Sequence, residues 1–141
     1  MSKTETENKK MEILLVDDDI DFLEQQKIML TSNGYDVILA NTRIDAEKIL
    51  ENKKPDFAII DLMMAEKDDG FVLSYHIKKL YPDVPVIILT AVTSETGLEF
   101  DLTGKDSAWV KADALMSKPV RFEQLQREIE RLCKNKVSTD L

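Results

Sequence analysis

"ILLVDDD", residues 13–19, sets four aliphatic residues directly against three aspartates, and Asp21 adds another acid just beyond. An apolar run this short suits a strand, and its lack of apolar–polar alternation suits a strand covered on both faces, as in a parallel sheet. Carboxylates crowded at the end of such a strand repel one another unless a cation or a helix terminus compensates them. Four more runs of the same kind follow: Val37 to Ala40, Phe57 to Ile60, Val86 to Leu89 and Ala114 to Met116.

Amphipathic segments separate most of these runs. Ile20 to Asn33 carries Leu23 and Leu30 on one face and ends at Gly34, a residue suited to a left-handed helix cap. Thr42 can cap a helix running through Leu50, with Ala46, Ile49 and Leu50 turned inward. Leu73, Ile77 and Leu80 mark a third helix, and Phe122, Leu125, Ile129 and Leu132 a last one that starts just after Pro119. Strand and helix alternate, which predicts an α/β, doubly wound parallel sheet. The exception is the Thr90–Asp113 segment, which holds Gly97 and Gly104 and no sustained helical stripe. At most a short helix is expected there, and long irregular connections of this kind are usually functional or mobile.

With 141 residues the chain has the size of one domain, able to bury roughly two-thirds of its unfolded surface. The net charge of -8, from 27 acidic and 19 basic side chains, opposes a nucleic-acid backbone, so direct nucleic-acid binding is not expected. "MSKTETENKK" is too polar for a signal peptide, and the longest nearly apolar stretch, Val84 to Val92, is too short to cross a bilayer. A soluble, cytoplasmic protein without membrane insertion is expected. Cys133 is the only cysteine, which leaves no internal disulfide; it reads as a half-buried packing residue. His76, also alone, reads as part of a solvated helix face beside Lys78 and Lys79.

Ligands of open parallel sheets bind beyond the carboxyl ends of the strands. The residues just after the runs are Asp17 and Asp18, then Asp61, then Thr90, then Ser117 and Lys118. Three carboxylates, a hydroxyl and an ammonium are thus expected at one sheet edge. Any one of them has an ordinary reading as a cap, a loop residue or a solvated charge; their convergence points to a site. Carboxylates are hard oxygen ligands suited to Mg²⁺, which binds through one or two of them and keeps waters. A carboxylate can also act as a nucleophile toward a phosphoryl group, with Lys118 neutralising one phosphoryl oxygen and Thr90 hydrogen-bonding another. Asp19 is better placed to cap the helix that follows, where its charge meets the positive end of the helix dipole.

"ILLVDDD", "IIDLMM" followed by "DG", "ILTA" and "SKP" resemble, in order and spacing, the signature segments of the receiver domain of bacterial two-component response regulators. The resemblance covers residues 11–134, leaving residues 1–10 as a disordered tail and 135–141 as a frayed one. It implies a flavodoxin-like three-layer sandwich whose five-stranded sheet runs in the order 2-1-3-4-5. It implies that Asp61 is the phosphoacceptor, that Asp17 and Asp18 are the acidic pair around Mg²⁺, and that Thr90 and Lys118 sense the phosphoryl group. The backbone carbonyl of Met63 would add a metal contact, and the Lys118–Pro119 bond would be cis. The function implied is that of a stand-alone regulatory receiver, not an enzyme. A histidine kinase or histidine phosphotransfer protein would phosphorylate it in a Mg²⁺-dependent reaction, and it would signal to a downstream protein through protein–protein contacts.

The chain departs from that pattern in three places. "MMAEKDDG", residues 63–70, has Ala65 where the family usually has proline, and one more residue, which predicts a less rigid turn. Leu115 stands where an aromatic residue often reports phosphorylation, and Trp109 is a candidate substitute. The interval from Thr90 to Lys118 is longer than usual, which would reshape the surface around the family's fourth helix, fifth strand and fifth helix, through which receivers meet partners. Met63 and Val92 would flank the phosphoryl group, and neither side chain can orient an attacking water, so a long-lived phosphoaspartate is expected. A receiver that no longer signals by phosphate is one alternative, opposed by the intact Asp61, Thr90 and Lys118, and two more stand beside it. One is a phosphorelay intermediate. The other is a small phosphohydrolase with Asp17 as nucleophile, since Asp17 and Asp19 form a D-x-D spacing, although Asp21 stands where that motif has Thr or Val.

Overall fold

The computed structural model describes residues 10–62, 64, 69–90 and 112–140, with side chains of the final helix described through Cys133. Each aliphatic run forms a strand: β1 (Glu12–Val16), β2 (Asp36–Ala40), β3 (Phe57–Asp61), β4 (Val86–Thr90) and β5 (Ala114–Ser117). The helices are α1 (Ile20–Ser32), α2 (Arg43–Asn52), α3 (Asp69–Leu80) and α4 (Phe122–Asp140). The five strands form one sheet in the order β2-β1-β3-β4-β5, and every neighbouring pair is parallel.

The lack of alternation in the strand sequences follows from the layers. Leu14, Val16, Ala58, Ile60, Val86 and Ile88 face one side of the sheet, where they pack with Ala46 and Leu50 of α2 and Leu73 and Ile77 of α3. Ile13, Leu15, Phe57, Ile59, Ile87 and Leu89 face the other, against Leu23 and Leu30 of α1 and Phe122, Leu125 and Ile129 of α4. Both faces are apolar because both are covered, and the three layers are those of the doubly wound fold.

The helix ends have local causes. Asp19 caps α1, its side chain accepting the Phe22 N–H at 3.1 Å, and Thr42 caps α2 by accepting the Asp45 N–H at 3.0 Å. At the other end of α1 the chain turns through Gly34, whose φ of 94° is one that side chains rarely adopt. The backbone of α4 runs to Asp140. Nothing between Phe122 and Asp140 is a glycine or proline, so the backbone meets no local stop signal. The amino-terminal tail to residue 9, the Ala65 turn and the segment 91–111, with Val92 and Trp109, lie outside the described residues.

Candidate functional site

Strand register brings the chemistry together. Val16 pairs with Ile60, Asp61 with Leu89, and Thr90 with Ser117, so the strands end nearly level at their carboxyl edge. The backbone ladder continues past the strands: Asp17 N–H donates to the Ala40 carbonyl at 3.2 Å, Leu62 N–H to Leu89 at 2.7 Å, and Lys118 N–H to Thr90 at 2.8 Å. Residues far apart in sequence are therefore held at fixed positions by the sheet itself. The Lys118–Pro119 bond is cis.

At this edge Lys118 Nζ lies 2.7 Å from Asp17 Oδ2 and 3.3 Å from Asp61 Oδ1. The other Asp17 oxygen accepts the Asp19 N–H at 2.9 Å. Asp17 and Asp61 are buried, whereas Asp18 is exposed. One carboxylate oxygen from each of Asp17, Asp18 and Asp61 lies within 4.8 Å of the others. Such a set of hard oxygen donors, partly buried and carrying more negative charge than one lysine offsets, fits a small divalent cation. Thr90 ends β4 buried beside Lys118, the two residues joined by the backbone hydrogen bond.

Burial is the main reason the Asp61 carboxyl is pushed up from 3.8 to about 6; the charges of Asp17 and Asp18 add to it, and Lys118 works against it. Burial disfavours the charged form of Lys118, but the hydrogen bond and charge of Asp17, followed by those of Asp61, outweigh it and raise its pKa. The lysine is thus held cationic between two acids, one of which is reluctant to ionise.

The structure gathers Asp17, Asp18, Asp61 and Lys118, with Thr90 adjoining, as the sequence predicts; the Met63 carbonyl lies outside the described residues. Leu115, in place of the reporting aromatic, packs against the apolar layer under α2 and α3. Asp19 is the cap, not a member of the cluster. Cys133 is half-buried with its Sγ 3.9 Å from Met11 Sδ, a packing contact as expected.

Three features escaped the sequence. Phe22 lays its ring against Lys118, with Nζ 4.5 Å from the centroid. Gly70 packs so closely on the end of β3 that a Cβ there would stand 2.6 Å from the Asp61 carbonyl oxygen and 2.6 Å from Leu62 Cα. Buried Asp69 receives Arg43 Nε at 2.9 Å, tying the start of α3 to the start of α2. Arg43 also reaches Glu47 at 2.8 Å, and the same Glu47 oxygen lies 2.6 Å from His76 Nδ1. Only Gly70 left a local sign, in "DG"; apart from the Arg43–Glu47 pair within α2, the other contacts join distant segments.

Comparison with known proteins agrees with this geometry. The family model described as the response regulator receiver domain matches residues 13–130. The chain is 36% identical over 125 residues to the transcriptional regulatory protein ZraR of Salmonella typhimurium, covering 86% of this chain and 26% of that protein. It is 33% identical over 122 residues to the response regulator MprA of Mycobacterium leprae, covering 86% of this chain and 50% of that one. The chain thus spans between a quarter and a half of these relatives. Among solved structures, a CheY-like response regulator receiver domain protein from Methanospirillum hungatei JF-1 matches with a TM-score of 0.78 and 26% identity over 93% of this chain and 99% of that one. The response regulator TrrA of Thermotoga maritima, solved in complex with Mg(2+)-BeF, matches with a TM-score of 0.71 and 27% identity over 86% and 98%. The ordered motifs, the sheet order and the matched residues together place the chain in the response regulator receiver domain family.

Proposed function

We propose that this chain is a phosphoaccepting switch of two-component signalling, in which Asp61 takes a phosphoryl group from a phosphohistidine of a histidine kinase or histidine phosphotransfer protein. The observation that carries this reading is the placement of Asp61 at the end of β3, with Lys118 at 3.3 Å and the carboxylates of Asp17 and Asp18 beside it. In the transfer an Asp61 oxygen bonds to phosphorus as the phosphorus–nitrogen bond breaks, and the electron pair stays on the imidazole. Mg²⁺, held by Asp17, Asp18 and Asp61, would neutralise the crowded carboxylates and shield the incoming phosphoryl oxygens from them. Lys118 presents its charge to the same oxygens, and Thr90 stands at the adjoining strand end. The phosphorylated form would then act through protein–protein contacts. No helix among the described residues is long and apolar enough to cross a membrane.

The phosphohydrolase alternative has less support. Both Asp17 oxygens are engaged, one by Lys118 and one by the Asp19 N–H, while Asp19 itself accepts the Phe22 N–H. Phosphotransfer profiling against kinases and phosphotransfer proteins distinguishes a terminal receiver from a relay intermediate. The test of the main reading is stoichiometric. Incubated with acetyl phosphate and Mg²⁺, the chain should gain the mass of one phosphoryl group, and Asp61→Ala should gain none. Multiple turnovers that survive Asp61→Ala and fail with Asp17→Ala would favour the hydrolase instead.

A further inference from the structure

The contact between Phe22 and Lys118 joins the first turn of α1 to the residue after β5, across the whole width of the site. Among the described residues, the ammonium meets Asp17 Oδ2 at 2.7 Å, Asp61 Oδ1 at 3.3 Å and the face of the Phe22 ring, with its centroid at 4.5 Å. The backbone that carries the ring is held in turn by the helix cap, since the Phe22 N–H donates to Asp19 Oδ1. The Lys118 side chain is only 21% exposed, so the ring faces a largely desolvated charge, the setting in which cation–π attraction is strongest.

The two acids cannot hold Lys118 equally in every state of the site. Asp17 also belongs to the acidic cluster, and a cation gathered there competes with the ammonium for its oxygen. A phosphoryl group on Asp61 likewise replaces the carboxylate that Lys118 meets. The ring has no charge to surrender, and its attraction for the ammonium persists through both changes.

We propose that Phe22 is a positioning residue for Lys118: its ring holds the ammonium over Asp61 so that it meets the phosphoryl oxygens. The inference rests on the reading of Asp61 as phosphoacceptor. It separates two affinities that ordinary packing damage would lower together. Calorimetry should compare Mg²⁺ alone with beryllofluoride, a phosphoryl mimic, in saturating Mg²⁺.

Phe22→Leu keeps an apolar side chain but removes the ring. It should leave Mg²⁺ affinity within about 2-fold and weaken beryllofluoride about 5- to 10-fold, while Phe22→Trp should preserve both. In a Lys118→Ala background, Phe22→Leu should have no further effect on beryllofluoride. Beryllofluoride binding by Phe22→Leu equal to wild type overturns the proposal, as does a parallel loss of both affinities or an undiminished Phe22 effect without Lys118. If the wild-type chain itself does not take up beryllofluoride, the phosphoacceptor reading falls together with this one.

Discussion

Asp61 carries two conflicting demands, to be buried and to be negative. Its pKa of about 6 shows how they are balanced: burial, Asp17 and Asp18 favour the neutral acid, and Lys118 restrains them. A carboxyl whose pKa is higher in the folded than in the unfolded chain supports folding while protonated. That contribution is present below the ordinary value and is lost as pH rises through the folded value. In metal-free buffer, Asp61→Asn should therefore match wild type near the ordinary pKa of 3.8 and become the more stable protein well above about 6. The difference should reach up to about 3 kcal/mol in urea unfolding at neutral pH. Equal stability at every pH would show that the site carries no such strain. Of the site residues, Asp17, Asp18, Asp61, Thr90 and Lys118 are legible because each lies within two residues of the end of an aliphatic run. Phe22 is not, because a ring on an amphipathic helix reads as core until the fold shows it against a lysine.

At the level of elements, the start of α3 is set tightly against the end of β3. Gly70 N–H donates to the Leu62 carbonyl at 2.9 Å, and the helix start rests on the backbone of Asp61 and Leu62 with no room for a methyl group. The Arg43–Asp69 pair secures the same helix start from the side of α2. Because the atoms a Cβ would strike are backbone, Gly70→Ala must displace either α3 or the Asp61 end of β3. A loss of about 1–3 kcal/mol in urea unfolding is expected, together with slower acetyl phosphate labelling of Asp61. Wild-type stability and labelling would mean that the junction is looser than described. The strands are legible to within a residue because branched aliphatic runs buried on both faces have few other uses. The extent of α4 is not, because the residues after Cys133 lack an apolar stripe to mark how far the helix, which runs to Asp140, continues.

Over the whole molecule, alternation of strand and helix is enough to predict a parallel sheet with two covered faces. The order β2-β1-β3-β4-β5 is not written in any one segment; it follows from the resemblance and is present in the structure. That order makes sense of the opening aspartates, since it places β1 next to β3 and so sets Asp17 and Asp18 beside Asp61. The crowding beyond "ILLV" is thus divided between a helix cap at Asp19 and a cluster whose negative charge suits a cation and a phosphoryl donor. Borohydride trapping after exposure to acetyl phosphate and Mg²⁺ tests this assignment most directly, because it reduces an acyl phosphate and marks the aspartate that carried it. Peptide sequencing should find the reduced residue at position 61 and nowhere else, with labelling lost when Mg²⁺ is withheld. A mark at Asp17, or none at all, would contradict the central claim.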